Sequence, residues 1–213
     1  MLRSRARVVN PPNGVTAHRG YPGGLSPFVQ QLSGLDASFL AGVQSIRWEP
    51  LTAVFLVASA WWVKWPLIAF VGGLGDASRR WRLPAGAIAA GAAAAFAGLA
   101  VLLLKGTFDR ERPPVAHAGL DPVGIVPGSA SFPSGHAATA FATAVAVGLI
   151  HPRLRWPLLA LATLVALSRV YLGVHYGSDV LVGSALGVAI GLATGLLVER
   201  VRRAPARQQP AYE

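Results

Sequence analysis

The sequence predicts an all-α fold: a polytopic membrane bundle of five to six transmembrane helices, preceded by a flexible tail and an amphipathic helix. Three observations predict it. Apolar residues make up 53% of the chain and charged residues only 13%, where a soluble domain carries about 25% charge. Five apolar segments follow one another between about residues 51 and 198, several just long enough to cross a hydrocarbon core about 30 Å thick. The arginines collect in alternate connections between those segments, as they do where positive charge orients a membrane protein.

The 213 residues suffice for one modest domain. Residues 1–27 hold Pro11, Pro12, Gly14, Gly20, Pro22, Gly23, Gly24 and Pro27, too many breakers for a packed element, and read as a flexible basic tail. From 28 to 48, apolar residues mix with Gln30, Gln31, Asp36, Gln44 and Arg47. That mixture reads better as an amphipathic helix on the membrane interface than as a span. The membrane domain covers 51–199, with apolar segments at about 51–73, 84–104, 135–151, 156–172 and 179–198. Lys64-Trp65-Pro66 interrupts the first of these, which is one kinked span or two short ones. Residues 200–213 form a basic tail.

Arg79, Arg80 and Arg82 lie between the first and second segments, Arg153 and Arg155 between the third and fourth, and Arg200, Arg202, Arg203 and Arg207 after the fifth. Alternation puts all three groups on one side, which the positive-inside rule makes cytoplasmic. The 105–134 loop and the short turn near 175 then face outward. Five crossings would leave Arg3, Arg5, Arg7 and Arg19 outside, against the rule. Six crossings remove the conflict and are favoured, with either the first segment split or the 28–48 helix inserted. Trp48, Trp61, Trp62, Trp65, Trp81 and Trp156 suit interface anchors.

Several classes are excluded. Cysteine is absent, so disulfides, thiolate metal sites and cysteine nucleophiles are ruled out. The net charge of +10 follows membrane orientation and not a groove-binding face, so no nucleic-acid partner is expected. No compact apolar run follows Arg3, Arg5 and Arg7 directly, so a cleaved signal peptide is not expected. No carboxylate cluster suggests a metal, and no cofactor is expected.

Three short stretches, all at outward-facing segment ends, carry chemistry. Lys105-Gly-Thr-Phe-Asp-Arg-Glu-Arg112-Pro113 leaves the second segment, with Arg110, Asp109 and Glu111 inside it. Taken singly, Lys105, Arg112 and Arg169 could be snorkelling side chains at helix ends. Converging from separate helices, they make an anion site, for which the arginine fork is suited. Pro133-Ser134-Gly135-His136 opens the third segment. Ser134 is a candidate N-cap and Gly135 allows close backbone approach, so the first N–H groups would face an anion; an ordinary helix start is the alternative. Ser168-Arg169 through His175 to Asp179 joins the last two segments. His175 and Asp179, at i and i+4, would share one face of a continuous helical turn. The carboxylate would then fix the ring tautomer and free the other nitrogen to attack, unless the pair only stabilises the turn. His18, His117 and His151 read as bland, with contact to a head group the lesser alternative for His117 in the outer loop.

Together the stretches read K-x6-R-P, P-S-G-H and S-R-x5-H-x3-D, with every fixed position present in order. This resembles the signature of the type 2 phosphatidic acid phosphatase superfamily, the lipid phosphate phosphatases, over about residues 84–198. The resemblance implies that His175 attacks phosphorus to form a phosphohistidine, that Asp179 orients it, and that His136 protonates the leaving oxygen and later activates water. It implies that Lys105, Arg112, Ser134, Gly135 and Arg169 hold the phosphate oxygens. Three fixed cations can stabilise the equatorial charge that Mg²⁺ stabilises elsewhere, so the chemistry is expected to be metal-independent.

The expected protein is a lipid phosphatase or diphosphatase of a bacterial cell membrane, working at the extracytoplasmic face. Its favoured substrate is a polyprenyl (undecaprenyl-type) diphosphate, by analogy with compact bacterial members that recycle a cell-wall carrier lipid. Phosphatidate, phosphatidylglycerol phosphate and transfer to a second lipid are alternatives. A non-catalytic scramblase or assembly factor would be expected to lose a histidine or Asp179, and a soluble vanadium haloperoxidase would lack the apolar segments.

Overall fold

The computed structural model describes residues 27–60, 85–117 and 119–203, and every regular element among them is helical. The helices are α1 (Pro27–Ser45), α2 (Glu49–Ser59), α3 (Ala85–Phe108), α4 (Gly135–Ile150), α5 (Arg155–Tyr171) and α6 (Gly177–Arg203). A single turn at Pro113–Ala116 and a 3₁₀ turn at Pro152–Leu154 complete them. The expected basic tail at 1–27 lies almost wholly outside the described residues. So do Lys64-Trp65-Pro66 and four of the tryptophans.

The boundaries follow local chemistry. α4 stops one residue before His151-Pro152, where a proline cannot continue the hydrogen-bond ladder. α5 accepts Pro157 in its first turn, where an N–H would be unpaired anyway. Just past its last residue, Gly173 has a φ of +75°, the left-handed conformation that closes a helix. The Gly173 and Val174 N–H groups return to the carbonyls of Val170 and Arg169, completing a Schellman closure. α6 runs four residues past the expected boundary, so Arg200, Arg202 and Arg203 are helical and not tail. Glu199 pairs with Arg202 and Arg203 one turn on, which suits that extension.

Among the described residues, three stretches are long and apolar enough to cross a membrane: Ala85–Ala116, Pro152–Tyr171 and Gly177–Arg203. α4 has 16 residues and is buried on most of its surface. Enclosed by protein, it need not match the lipid thickness. One side meets Ala85, Ala89, Ala93, Ala97 and Val101 of α3 through Ala138, Ala142, Ala146 and Ile150. Another meets Leu158, Ala162 and Val165 of α5 through Ala140, Ala144 and Val147. The third receives a glycine stripe of α6, Gly183, Gly187, Gly191 and Gly195. A Cβ on Gly183 would stand 2.5 Å from the Ser134 carbonyl oxygen, and one on Gly191 2.5 Å from that of Ala142. Lipid tails give helices no hydrophobic reason to associate, so this backbone-to-backbone approach through small residues supplies the packing. The large apolar side chains, Phe96, Leu102, Leu192 and Leu197 among them, point outward instead.

α1 bears on the crossing question. Asp36 bonds to Arg110 and Ser178, and Arg47 bonds to the carbonyls of Asp121 and Tyr171. These partners all lie at one end of the bundle, while Asp36 and Gln44, which bonds the Asp121 carbonyl, are roughly 12 Å apart along the helix. α1 therefore lies across that end, and it is not among the described helices long and apolar enough to cross a membrane. Its polar Asp36 and Gln44 bond a loop arginine, the first turn of α6 and a loop carbonyl, and Arg47, just beyond the helix, bonds two carbonyls at the same end. The other route to six crossings, a split first segment, lies mostly outside the described residues. Trp48 and Trp156 are exposed at opposite ends of the bundle, as interface anchors require.

Candidate active site

Lys105 in the last turn of α3, Arg112 before the Pro113 turn, Ser134 and His136 at the start of α4, Arg169 near the end of α5 and Asp179 in the first turn of α6 all come to the end of the bundle that α1 covers. His175 joins them from the connection between α5 and α6. The described arginines at 153, 155, 200, 202 and 203 lie at the other end. Asp179 and Arg200 are roughly 32 Å apart along α6, the thickness of a hydrocarbon core.

His175 is not on a helix, contrary to the expectation that it shares a helical face with Asp179. It is held between two helix ends. Behind it, the Schellman closure turns the chain at Gly173. Ahead of it, Asp179 is the third residue of α6 and its Oδ2 accepts the Tyr176 N–H at 3.0 Å, the reach-back bond of a capping box. Helix capping thus brings the carboxylate to the ring. His175 Nδ1 lies 3.5 Å from Asp179 Oδ2 and 3.4 Å from Ser131 Oγ. That first distance is longer than a formed N–H···O bond, as catalytic contacts often are before substrate tightens them. On the far side of the ring, Nε2 lies 3.1 Å from Arg112 Nη1. A proton on Nδ1, facing the carboxylate, leaves the Nε2 lone pair toward the cations.

The imidazole is 2% exposed. Burial, opposed by the Asp179 contact and assisted by Arg112 and Arg169, lowers its pKa to about 4. It is therefore neutral at pH 7, as a nucleophile must be. The neighbouring Tyr176 phenol, half-buried, is pushed up to about 12 chiefly by desolvation and stays neutral too.

Arg112 is buried and directs its fork at the Ser129 carbonyl (2.9 Å), the Val174 carbonyl (2.8 Å) and Ser129 Oγ (3.3 Å). Lys105 Nζ donates to Ser129 Oγ at 3.2 Å and to the Ala130 carbonyl. Arg169 is 6% exposed, and among the described residues its Nε has no partner; the same holds for Ser134 Oγ. Two orphaned buried polar atoms beside three cations suit an anion with several oxygens. Ser134 does take the N-cap position of α4, but its hydroxyl makes no capping bond, contrary to the expected cap role. Its backbone N–H instead bonds the Asp179 carbonyl at 3.0 Å, tying α4 to α6 at the site. Gly135 packs against Val101, and His136 is half-buried in the first turn of α4. Among the described residues no three His, Asp or Glu side chains gather as a metal site would need.

Sequence reasoning missed several participants. Ser131, fully buried, donates to Asp179 Oδ2 at 2.5 Å. Ser129 bridges Lys105 and Arg112. Arg110, read only as an outer-loop cation, contacts Asp179 Oδ1 at 2.7 Å and Asp36 Oδ2 at 2.9 Å. One signal could have found it: a third cation in a loop where orientation disfavours positive charge. His117 stacks edge-on against Tyr176, with ring centres 6.0 Å apart. His151 is buried at the opposite end.

The family model described as the PAP2 superfamily matches residues 86–203. A lipid A 1-phosphatase of Rhizobium johnstonii is 38% identical over 109 residues, 49% of this chain and 45% of that protein. The chain thus spans under half the length of that relative. A decaprenylphosphoryl-5-phosphoribose phosphatase of Mycobacterium tuberculosis is 37% identical over 137 residues, 61% of this chain and 68% of that protein. Among solved structures, a transmembrane PAP2-type phosphatidylglycerolphosphate phosphatase from Bacillus subtilis superposes with a TM-score of 0.66 at 24% identity, over 81% of this chain and 89% of that one. LpxE of Aquifex aeolicus superposes with a TM-score of 0.62 at 26% identity, over 75% and 94%.

Proposed function

The chain belongs to the PAP2 superfamily, and we propose that it is a membrane lipid phosphatase acting through a phosphohistidine at His175. The observation that carries this is the orientation of the buried imidazole, with Nδ1 toward Asp179 and Nε2 toward Arg112. A phosphate bound by Lys105, Arg112, Arg169 and the α4 N-terminus presents phosphorus to Nε2. The P–N bond forms as the P–O bond to the leaving group breaks, a lipid alcohol from a monoester or a lipid phosphate from a diphosphate, and His136 gives the leaving oxygen its proton. Asp179 stabilises the positive ring through Nδ1–H. Water, deprotonated by His136, then cleaves the P–N bond and releases inorganic phosphate. The protein's work is alignment and neutralisation of equatorial charge, which suits phosphoryl transfer. The donor set is cationic, so the reaction proceeds without a metal.

The favoured substrate is a polyprenyl diphosphate, taken from the outer leaflet at the extracytoplasmic face. A second reading is hydrolysis of a phosphate monoester carried on a polyprenyl-linked sugar. Similarity to the mycobacterial phosphatase favours it, because that protein's name describes such a compound. Phosphate release by purified protein from a panel of lipid phosphates and diphosphates, with EDTA present, tests the reaction. Release in EDTA is expected, and complete loss restored by Mg²⁺ overturns the metal-free route. Vanadate is expected to inhibit as a trigonal-bipyramidal mimic of the transition state. Sidedness is tested with single cysteines, since the chain has none of its own. Ile125→Cys, at a 91% exposed loop position, is expected to react with an impermeant maleimide in intact cells. Arg203→Cys is expected to react only after the membrane is opened. The reverse pattern removes the outer-face assignment.

A further inference from the structure

Asp179 has no solvent exposure, so its carboxylate needs partners to remain ionised. One is the histidine it orients, whose Nδ1 lies 3.5 Å away, longer than a formed hydrogen bond. Ser131 and the Tyr176 N–H both bond Oδ2. Among the described residues Oδ1 bonds Arg110 Nη1 at 2.7 Å. Arg110 also donates Nη1 to Ser178 Oγ at 2.7 Å and Nη2 to Asp36 Oδ2 at 2.9 Å, while its guanidinium lies 4.0 Å from the centre of the Tyr176 ring. Asp36, on α1, in turn accepts the Ser178 N–H at 3.0 Å and the Ser178 hydroxyl. One arginine therefore bridges a fully buried carboxylate and a half-buried one, and the second of them fastens α1 to the first turn of α6.

We infer that Arg110 is a positioning residue for Asp179 and that Asp36 anchors it, which makes α1 part of the catalytic apparatus although it lies outside the family-matched stretch. The inference rests on the reading of His175 as nucleophile. Without Arg110, Oδ1 loses its cation, and only Ser131 and a backbone N–H fix the carboxylate plane that must meet Nδ1 as the ring becomes positive. The bridge needs two donors of fixed geometry and a flat face for Tyr176, which a guanidinium has and an ammonium lacks. Lysine at 110 therefore restores charge but not both contacts.

The test compares Arg110→Gln, Arg110→Lys, Asp36→Asn and the Gln/Asn double variant with the parent protein in nanodiscs, each corrected for folded fraction. Two readouts are taken: kcat and KM on the hydrolysed lipid phosphate, and the ¹⁵N signals of the His175 ring, which need no turnover. Arg110→Gln is expected to lower kcat roughly 10- to 100-fold, the range seen when a partner behind a ligating or reacting group is removed. KM should change little, and the Nδ1 signal should move. Arg110→Lys should recover part of kcat. Asp36→Asn should cost less, and nothing further in the Arg110→Gln background, because both act through one contact. Unchanged kcat and an unmoved Nδ1 signal in Arg110→Gln overturn the inference while leaving the proposed reaction intact. Additive losses overturn the role of α1. A parent protein that hydrolyses none of the lipids, yet shows the expected ring shifts, refutes the proposed function and supports the positioning contact. If Arg110→Gln fails to fold, the near-isosteric Asp36→Asn carries the test, and an unmoved Nδ1 signal there overturns the inference.

Discussion

At the site end of the bundle Arg110 reaches 68 to 74 residues along the chain to Ser178, Asp179 and Asp36. At the opposite end Arg202 and Arg203 find Glu199 within one helical turn. The carboxylate at the site end has no solvent exposure, whereas the Arg203 side chain is 75% exposed. The two ends carry charge for different reasons. Charge that orients a chain in a bilayer can be local and hydrated, because only its side of the membrane matters. Charge that holds a reacting phosphate must be fixed in position and kept from water, so it is assembled from segments far apart in sequence.

The sharpest way to break this comparison is to remove the nucleophile. His175→Ala is expected to abolish turnover, by about 10⁴-fold or more, while the protein stays folded and forms no acid-labile phosphoenzyme with labelled substrate. His136→Ala should keep some labelling from a substrate with a good leaving group, because attack does not need its proton. Near-normal turnover in His175→Ala would remove the assignment of the nucleophile.

The same contrast explains what could be read in the sequence. The three stretches are short and ordered, so Lys105, Arg112, Ser134, His136, Arg169, His175 and Asp179 were visible as strings. The apolar segments were visible because lipid demands uniform composition over a whole span. What joins the strings was not visible. Nothing near Asp36 announces that it will meet Arg110, since the contact depends on how α1 crosses the bundle. The i, i+4 spacing of His175 and Asp179 suggested a helical face, but the pairing arises from a Schellman closure followed by a cap. Spacing alone does not distinguish the two. Four glycines spaced by four in α6 were present in the sequence, yet only the facing carbonyls of α4 explain them.

The second largest effect concerns acid. The His175 pKa is lowered to about 4 in the folded protein, against about 6.5 in an unfolded chain. Between those values the unfolded state binds the proton and the folded state does not. Stability is therefore intact above about pH 6.5 and declines as pH falls toward 4, by up to roughly 3 kcal/mol from this group. Melting temperatures in detergent from pH 7 to 4.5 should fall, and His175→Asn should flatten that dependence. Parallel slopes in the two proteins would mean that the ring is not held neutral by burial.

Between the two ends, the α6 stripe offers a test that involves no charge. A side chain at Gly187 would run into the Ala138 carbonyl oxygen and Phe141. Gly187→Leu should destabilise by about 1–3 kcal/mol or more, since backbone cannot yield as a side chain can. The site is also joined across this contact through the Ser134 N–H and the Asp179 carbonyl, so activity should fall with stability. Equal melting temperatures for the variant and the parent would show that α4 and α6 pack less closely than described.

The smallest effect is expected at the opposite end. The Arg203 to Glu199 pair is solvent-exposed on the arginine side, and such pairs contribute about 0–1 kcal/mol. Glu199 also keeps its contact with Arg202 when Arg203 is lost. Arg203→Ala should therefore leave the melting temperature and turnover nearly unchanged, although a positive charge is removed in both this variant and the Arg110 variant. The paired measurement separates net charge from placed charge. If turnover depended on the overall positive potential gathering anionic lipid, the two losses would be alike and would shrink together as salt is raised. If it depends on where the cation is held, the Arg110 loss persists at high salt and the Arg203 variant stays active throughout. A comparable, salt-sensitive loss in Arg203→Ala would collapse the distinction between the two ends.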